Sequence, residues 1–320
     1  MEPLLKVLRE SVQVSTLRTA TLTLSKLCGG RPQPLFELVS PAVPVVAELI
    51  RTPEQDAEVL IDACWALSHV TDGRADKGIE AVVGSGVCGR LVELMGHDSR
   101  MTQIPAVRTV GNVVAGNDVQ TQAMIDFGAI PALQALLSSP VVGIRRQACW
   151  TISNIMAGSR EQRQAVIDGD VVPQVITIAT TDTPGVKREA VWAVINGVLG
   201  ESQQQVEYLV AGGCVGPLCD LLVDGTEGAM LKDALHAVLK MLRVGHQVEV
   251  RDGLPHNPYR NLIQQADGVA SLSQLTHHAD ENIRNLSVAA MEAMMVEDES
   301  DAGSEGTDTT KTSDGEDGNE

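Results

Sequence analysis

Aromatic side chains are scarce in this 320-residue chain, which holds two Phe, two Tyr and three Trp. Strand-rich architectures lean on aromatic and β-branched residues, so their scarcity argues against a sandwich or barrel, while plentiful Ala, Leu, Val and Gln favour helix. Positive charge is also short. Against 42 Asp and Glu stand 24 Lys and Arg, for a formal charge of -18 and a pI near 4.7. A nucleic-acid binder needs a basic face to displace counterions from phosphate; a basic protein partner fits this balance, and no nucleic acid is expected. No CxxC pair occurs. The six cysteines, Cys28, Cys64, Cys88, Cys149, Cys214 and Cys219, have no His at metal-ligand spacing and read as small buried hydrophobes in a reducing compartment, with no metal. No run approaches the ~18 apolar residues of a membrane span, and no signal segment opens the chain, so a soluble intracellular protein with no membrane partner is expected. Phosphate loops, GxSxG elbows and HExxH pairs are absent, and the seven His fit no local catalytic signature. No enzyme and no cofactor is expected.

What is present is a period. Arg146-Gln147-Ala148-Cys149-Trp150-Thr151-Ile152-Ser153-Asn154 echoes Arg188-Glu189-Ala190-Val191-Trp192-Ala193-Val194-Ile195-Asn196 and, upstream, Asp62-Ala63-Cys64-Trp65-Ala66-Leu67-Ser68-His69. Trp65, Arg108, Trp150 and Trp192 share one phase, 42 to 43 residues apart, a spacing in the armadillo and HEAT range. A Gly followed by apolar residues and often Pro keeps the same period at Gly86, Gly128, Gly169 and Gly213, a helix break followed by a helix start. Each unit reads as three helices that bury their apolar faces only by stacking. The expected fold is all-α, a right-handed superhelical armadillo-repeat solenoid over residues 1–296. It has about seven units, the first partial at 1–30, five fuller ones to about 245, and a last one at 258–296. The stretch His246 to Pro258 reads as a loop. From Glu297 to Glu320 apolar residues vanish and acids dominate, the composition of a disordered tail.

On the third helix of the unit, Asn follows Trp by four residues at Trp150/Asn154 and Trp192/Asn196, with Arg108/Asn112 as a variant. That offset puts both on one face, a turn apart, so the pairs form two parallel rows. Such indoles could be a core ladder. They could equally wall slots that hold a Lys or Arg stem, with the carboxamides pairing with an extended peptide's main chain. Carboxylates suited to the emerging cations are Glu189 and Asp62, each one turn before a Trp, and Asp72, just past a helix end. Arg108 would hold an acidic group or carbonyl, or brace an acidic neighbour.

The runs Ala148-Cys149-Trp150-Thr151-Ile152-Ser153-Asn154, Arg108-Thr109-Val110-Gly111-Asn112, Leu91-Val92-Glu93-Leu94 and Gly216-Pro217-Leu218-Cys219-Asp220-Leu221-Leu222 resemble the repeat motifs of importin-α, the adaptor that carries basic nuclear localisation signals to importin-β. Asn257-Pro258-Tyr259, Asp267-Gly268 and the acidic end resemble that family's last repeat and tail. The resemblance spans roughly residues 1 to 296. It implies that the Trp and Asn line a concave groove. Arg108, Asn112, Trp150, Asn154, Glu189, Trp192 and Asn196 would form the smaller of two sites for basic clusters, with Trp65 and Asp62 between the sites. It also implies residence in cytoplasm and nucleus, and contact of repeat 258–296 with a nuclear export receptor. Importin-β would be a partner only if a longer chain supplied the basic segment and first repeats that have no counterpart here.

Departures from the pattern matter too. Leu22 and Lys26 stand where the family has Trp and Asn, Gln147 where it usually has Glu, and His236 and Lys240 fill the phase of the next repeat. A Lys in the Asn row would repel a basic ligand, so the larger site is expected to be mostly missing. An armadillo scaffold for protein–protein contacts without cargo transport is the alternative reading.

Overall fold

Helix starts are written into the chain in several of the repeats. In the computed structural model, which describes residues 1–73 and 76–295, Asn117/Gln120 and Ser159/Gln162 form reciprocal capping boxes, and Asp56 and Asn257 cap the helices that follow them. Gly86, Gly128 and Gly213 take left-handed φ between helices, while after Gly169 it is Asp170 that adopts φ 53°. All regular structure among the described residues is helical, and none of these helices is long and apolar enough to cross a membrane.

The elements group into seven successive units. A full one runs Asp118–Asp126, Ala129–Leu137 and Val142–Met156. The third helices are Val14–Cys28, Ala57–Thr71, Arg100–Val114, Val142–Met156, Pro184–Leu199, Gly228–Asp252 and Glu281–Met295. Each packs on the third helix of the next unit, and buried apolar residues run as one cluster from Leu5 to Ala290. This is an armadillo solenoid, with its core strung along the stack rather than gathered at a centre. The six cysteines are buried and unpaired; burial alone pushes Cys28 up to about 11, and it is the first cause that takes Cys64 to about 12.

Polar ladders tie the repeats together. The buried first-helix glutamines reach back one unit: Gln162 Nε2 donates to the Asp118 carbonyl at 2.8 Å and Gln205 Nε2 to the Arg160 carbonyl at 3.0 Å. A second ladder is ionic. A base in the first turns of one third helix meets an acid at the start of the next, as in Arg18–Asp56, Arg145–Asp182, Arg188–Glu227 and Lys232–Asp280. Arg145 and Asp182 form the best-shielded of these, two bonds of 2.7 and 2.8 Å, and the guanidinium is the chief cause that lowers the Asp182 carboxyl to about 2. Ile61 and Ile104 occupy the base position in the second and third units, which therefore lack this tie.

The expected loop from His246 to Pro258 is corrected. The sixth third helix continues to Asp252, ends on Gly253 at φ 62°, and leaves a short connection to the Asn257 cap. Buried Val244 and Val248 lie four residues apart on its inner face, and Arg251 pairs with Glu207 at 2.8 Å, so the extra turns have a surface to pack on. The acidic stretch from Glu297 to Glu320 lies outside the described residues.

Candidate peptide-binding face

Equal phasing of the third helices fixes the site. In the first six units their ninth residues are Leu22, Trp65, Arg108, Trp150, Trp192 and His236, and their thirteenth are Lys26, His69, Asn112, Asn154, Asn196 and Lys240; in the seventh both are Ala. Because the helices stack in order, these become two continuous rows. Trp65, Trp150 and Trp192 are all partly exposed, as a wall for a ligand must be and a core ladder would not be. The twelfth positions are small and buried in the first four units: Ser25, Ser68, Gly111 and Ser153. A Cβ on Gly111 would overlap the Trp150 ring and lie 2.7 Å from Thr151 Oγ1, so glycine here lets the indole settle on the preceding helix.

The Asn row has a structural task that spacing did not reveal. Asn112 Nδ2 donates to the Ser68 carbonyl at 3.1 Å and to Thr71 Oγ1 at 3.0 Å. Asn196 Nδ2 donates to the Ser153 carbonyl at 2.8 Å, and Asn154 Nδ2 reaches the Gly111 carbonyl at 3.5 Å. Each carboxamide thus points an N–H at the residue just before its counterpart in the preceding unit; Asn154 and Asn196 keep the oxygen and second N–H for a ligand, whereas both N–H groups of Asn112 are engaged. Asn112 is buried, whereas Asn154 and Asn196 are partly exposed, so the outward capacity lies mainly in the last two.

The charged site residues are largely engaged with one another. Arg108 Nη2 lies 2.8 Å from Asp72 Oδ2, the bracing option for Arg108, and this takes up the carboxylate expected to meet a cation. Glu189 sits beneath Arg146, whose Nη2 is 3.3 Å from Oε1; the Glu189 side chain is 13% exposed and that of Arg146 58%. Asp62 has no ion pair among the described residues. Burial pushes its carboxyl above the ordinary range, Lys26 pulls it back, and Glu58 adds to the rise.

These rows on an armadillo stack have known counterparts. The armadillo/β-catenin-like repeat family matches residues 75–115 and 117–157. The chain is 48% identical over 301 residues to importin subunit alpha-1b of Oryza sativa subsp. japonica, covering 94% of this chain and 56% of that protein. With importin subunit alpha-3 of Arabidopsis thaliana it shares 46% over 310 residues, covering 95% and 57%. The chain belongs to the importin-α family. It spans a little over half the length of these relatives. A designed armadillo repeat protein solved in complex with peptide (KR)4 superposes with a TM-score of 0.66 at 26% identity, covering 79% of this chain and 99% of that one. An engineered protein covering 92% and 67% reaches a TM-score of 0.77 at 25% identity.

Within this importin-α chain, sequence reasoning passed over three positions on the same face. His69 takes the Asn place and stacks on Trp65, with ring centroids 5.7 Å apart and planes at 26°. Its ring also lies against Gly29, where a Cβ would come within 2.8 Å. Burial, first, lowers the His69 imidazole; Arg108 and then Lys26 also lower it, and Asp72 opposes them. Pro105 occupies the sixth helical position, where Asp62 and Glu189 stand in their repeats, so the third unit offers no carboxylate there; Asp233 fills that position in the sixth. All three were readable from the phase once the ninth and thirteenth positions were fixed.

Proposed function

We propose that this chain binds extended Lys/Arg-rich peptides of the nuclear-localisation-signal type, as the cargo-binding part of a nuclear import adaptor working between cytoplasm and nucleus. The observation that carries the reading is the pair of partly exposed indoles, Trp150 and Trp192, one repeat apart and each beside a carboxamide with free hydrogen-bonding capacity. A Lys or Arg stem lies between the indoles with its charge over the ring faces, Glu189 receives the charge as Arg146 swings out, and Asn154 and Asn196 bond the peptide main chain. Arg108 and Asn112 bound this site, and Trp65 and Asp62 continue the face beyond it. The designed armadillo relative in complex with peptide (KR)4 supports a basic ligand for such a surface. The role is binding rather than catalysis. Importin-β joins only if a longer chain supplies a basic segment, and the repeat at 258–296 meets an export receptor.

The test is a titration of a fluorescent Lys/Arg-rich nuclear localisation peptide at low and moderate salt, against wild type and Trp150→Ala/Trp192→Ala. Binding that weakens with salt and is lost in the double variant supports the reading. A folded wild type that leaves the peptide free would favour a scaffold that no longer carries cargo.

A further inference from the structure

The chain has 42 acidic and 24 basic residues, yet Lys26, His69 and Arg108 follow one another along the ligand-facing rows in three adjacent repeats. Lys26 is exposed and has no hydrogen bond or ion pair among the described residues. It replaces a carboxamide that could both donate and accept with a group that only donates. Leu22, 46% exposed, replaces the indole that would attract a cation. Arg108 gives one nitrogen to Asp72, and its other donors have no partner among the described residues. His69 lies between these two, fixed by Trp65 and Gly29, and its imidazole feels the charges of both Lys26 and Arg108. The facing carboxylates are Asp72, engaged by Arg108, and Asp62, more than 4 Å from Lys26 and partly buried.

We propose that Lys26, His69 and the free donors of Arg108 form a second recognition site that takes an acidic side chain, carboxylate or phosphate, on the peptide stretch leading away from the basic cluster. It deepens the groove reading and rests on it for the position of the basic cluster. Packed helices lie roughly 8–10 Å apart and an extended chain covers roughly 3.3–3.6 Å per residue. The acidic groups therefore fall about four residues (Arg108) and about nine residues (Lys26) from the residue held between Trp150 and Trp192. The first repeats then select by what flanks the basic cluster: acids are accepted, and a second run of Lys or Arg is turned away.

The experiment compares peptides sharing one Lys/Arg cluster and carrying, at those spacings and on either side of it, Ala, Glu, phosphoserine or Lys. Wild type is expected to bind the Glu or phosphoserine forms about two- to tenfold tighter than the Ala form and the Lys form no tighter. Lys26→Glu is expected to reverse that order. A gain with phosphoserine alone identifies a phosphorylated ligand, and one with Glu as well identifies acidic residues in general. Equal affinities for the Ala, Glu and phosphoserine forms, or a wild-type preference for Lys, overturns the proposal. A second readout is independent of the basic cluster. In Trp150→Phe/Trp192→Phe the sole remaining indole is Trp65, since the chain has three Trp. A phosphoserine- and Glu-containing peptide without Lys or Arg should change its fluorescence saturably, and Lys26→Glu should abolish the change. No change overturns the second site even if basic peptides fail to bind wild type; a saturable change together with that failure would sink only the basic-cluster reading.

Discussion

The fourth and fifth repeats and the first three present the same helical positions with different chemistry. At the ninth and thirteenth residues of their third helices, the later pair has Trp150/Asn154 and Trp192/Asn196, and the earlier three have Leu22/Lys26, Trp65/His69 and Arg108/Asn112. Backbone geometry is shared because the core positions between them are equivalent: position twelve is buried in all five, as Ser25, Ser68, Gly111, Ser153 and Ile195, with apolar residues inward. A solenoid sums neighbouring interfaces, so the outward rows can change repeat by repeat while the stack persists. The difference teaches that the fold and the outward rows are separately encoded here, and that of these five repeats only the later two set an indole beside a carboxamide.

The contrast can be broken most severely by removing the later indoles. Trp150→Ala/Trp192→Ala should cost about 2 kcal/mol per ring in peptide binding, roughly 30-fold each, read by titration, with the far-UV circular dichroism spectrum unchanged. Next is Gly111→Ala. The added methyl meets the Trp150 ring and Thr151, so it should lower stability by about 1–3 kcal/mol, and peptide affinity should fall with the ring displaced. Thermal melts and the same titration check it, and Ser at this position should be milder than Val.

Of similar size is the Arg145–Asp182 tie, which the second and third units lack. Asp182→Asn should cost about 2 kcal/mol at neutral pH. The folded carboxyl is lowered from 3.8 to about 2, so its contribution is fully present above the unfolded value and is lost as pH falls from about 4 toward 2. Denaturant melts of wild type and Asp182→Asn should therefore converge in that window and stay parallel from pH 5 to 7. The smallest effect has the opposite sign. Arg146→Ala uncovers Glu189 and should tighten basic-peptide binding about two- to fivefold, the scale of one exposed ion pair. Weaker binding instead would mean that Arg146 itself touches the ligand.

The period, the three-helix unit and the Trp/Asn phase were all readable in the sequence, because they depend on spacing within single helices. Pairings across repeats were not. Arg108 with Asp72 and Arg146 with Glu189 join residues 36 and 43 apart, and nothing local distinguishes a carboxylate awaiting a ligand from one already covered. The backward donation of Asn112, Asn154 and Asn196 was hidden for the same reason. The long sixth third helix was missed because His246, Asp252 and Gly253 read as loop residues, while the extra turns are held by Glu207 on the same unit's first helix and by Asn257 and Tyr259, which lie against Gly245.

The most direct test of unequal halves is a side-by-side titration of one Lys/Arg-rich peptide into Trp65→Ala and Trp192→Ala at matched salt. The expected loss is roughly 30-fold for Trp192→Ala and under about threefold for Trp65→Ala. A larger loss at Trp65 than at Trp192 would contradict it and move the basic-peptide site to the first repeats.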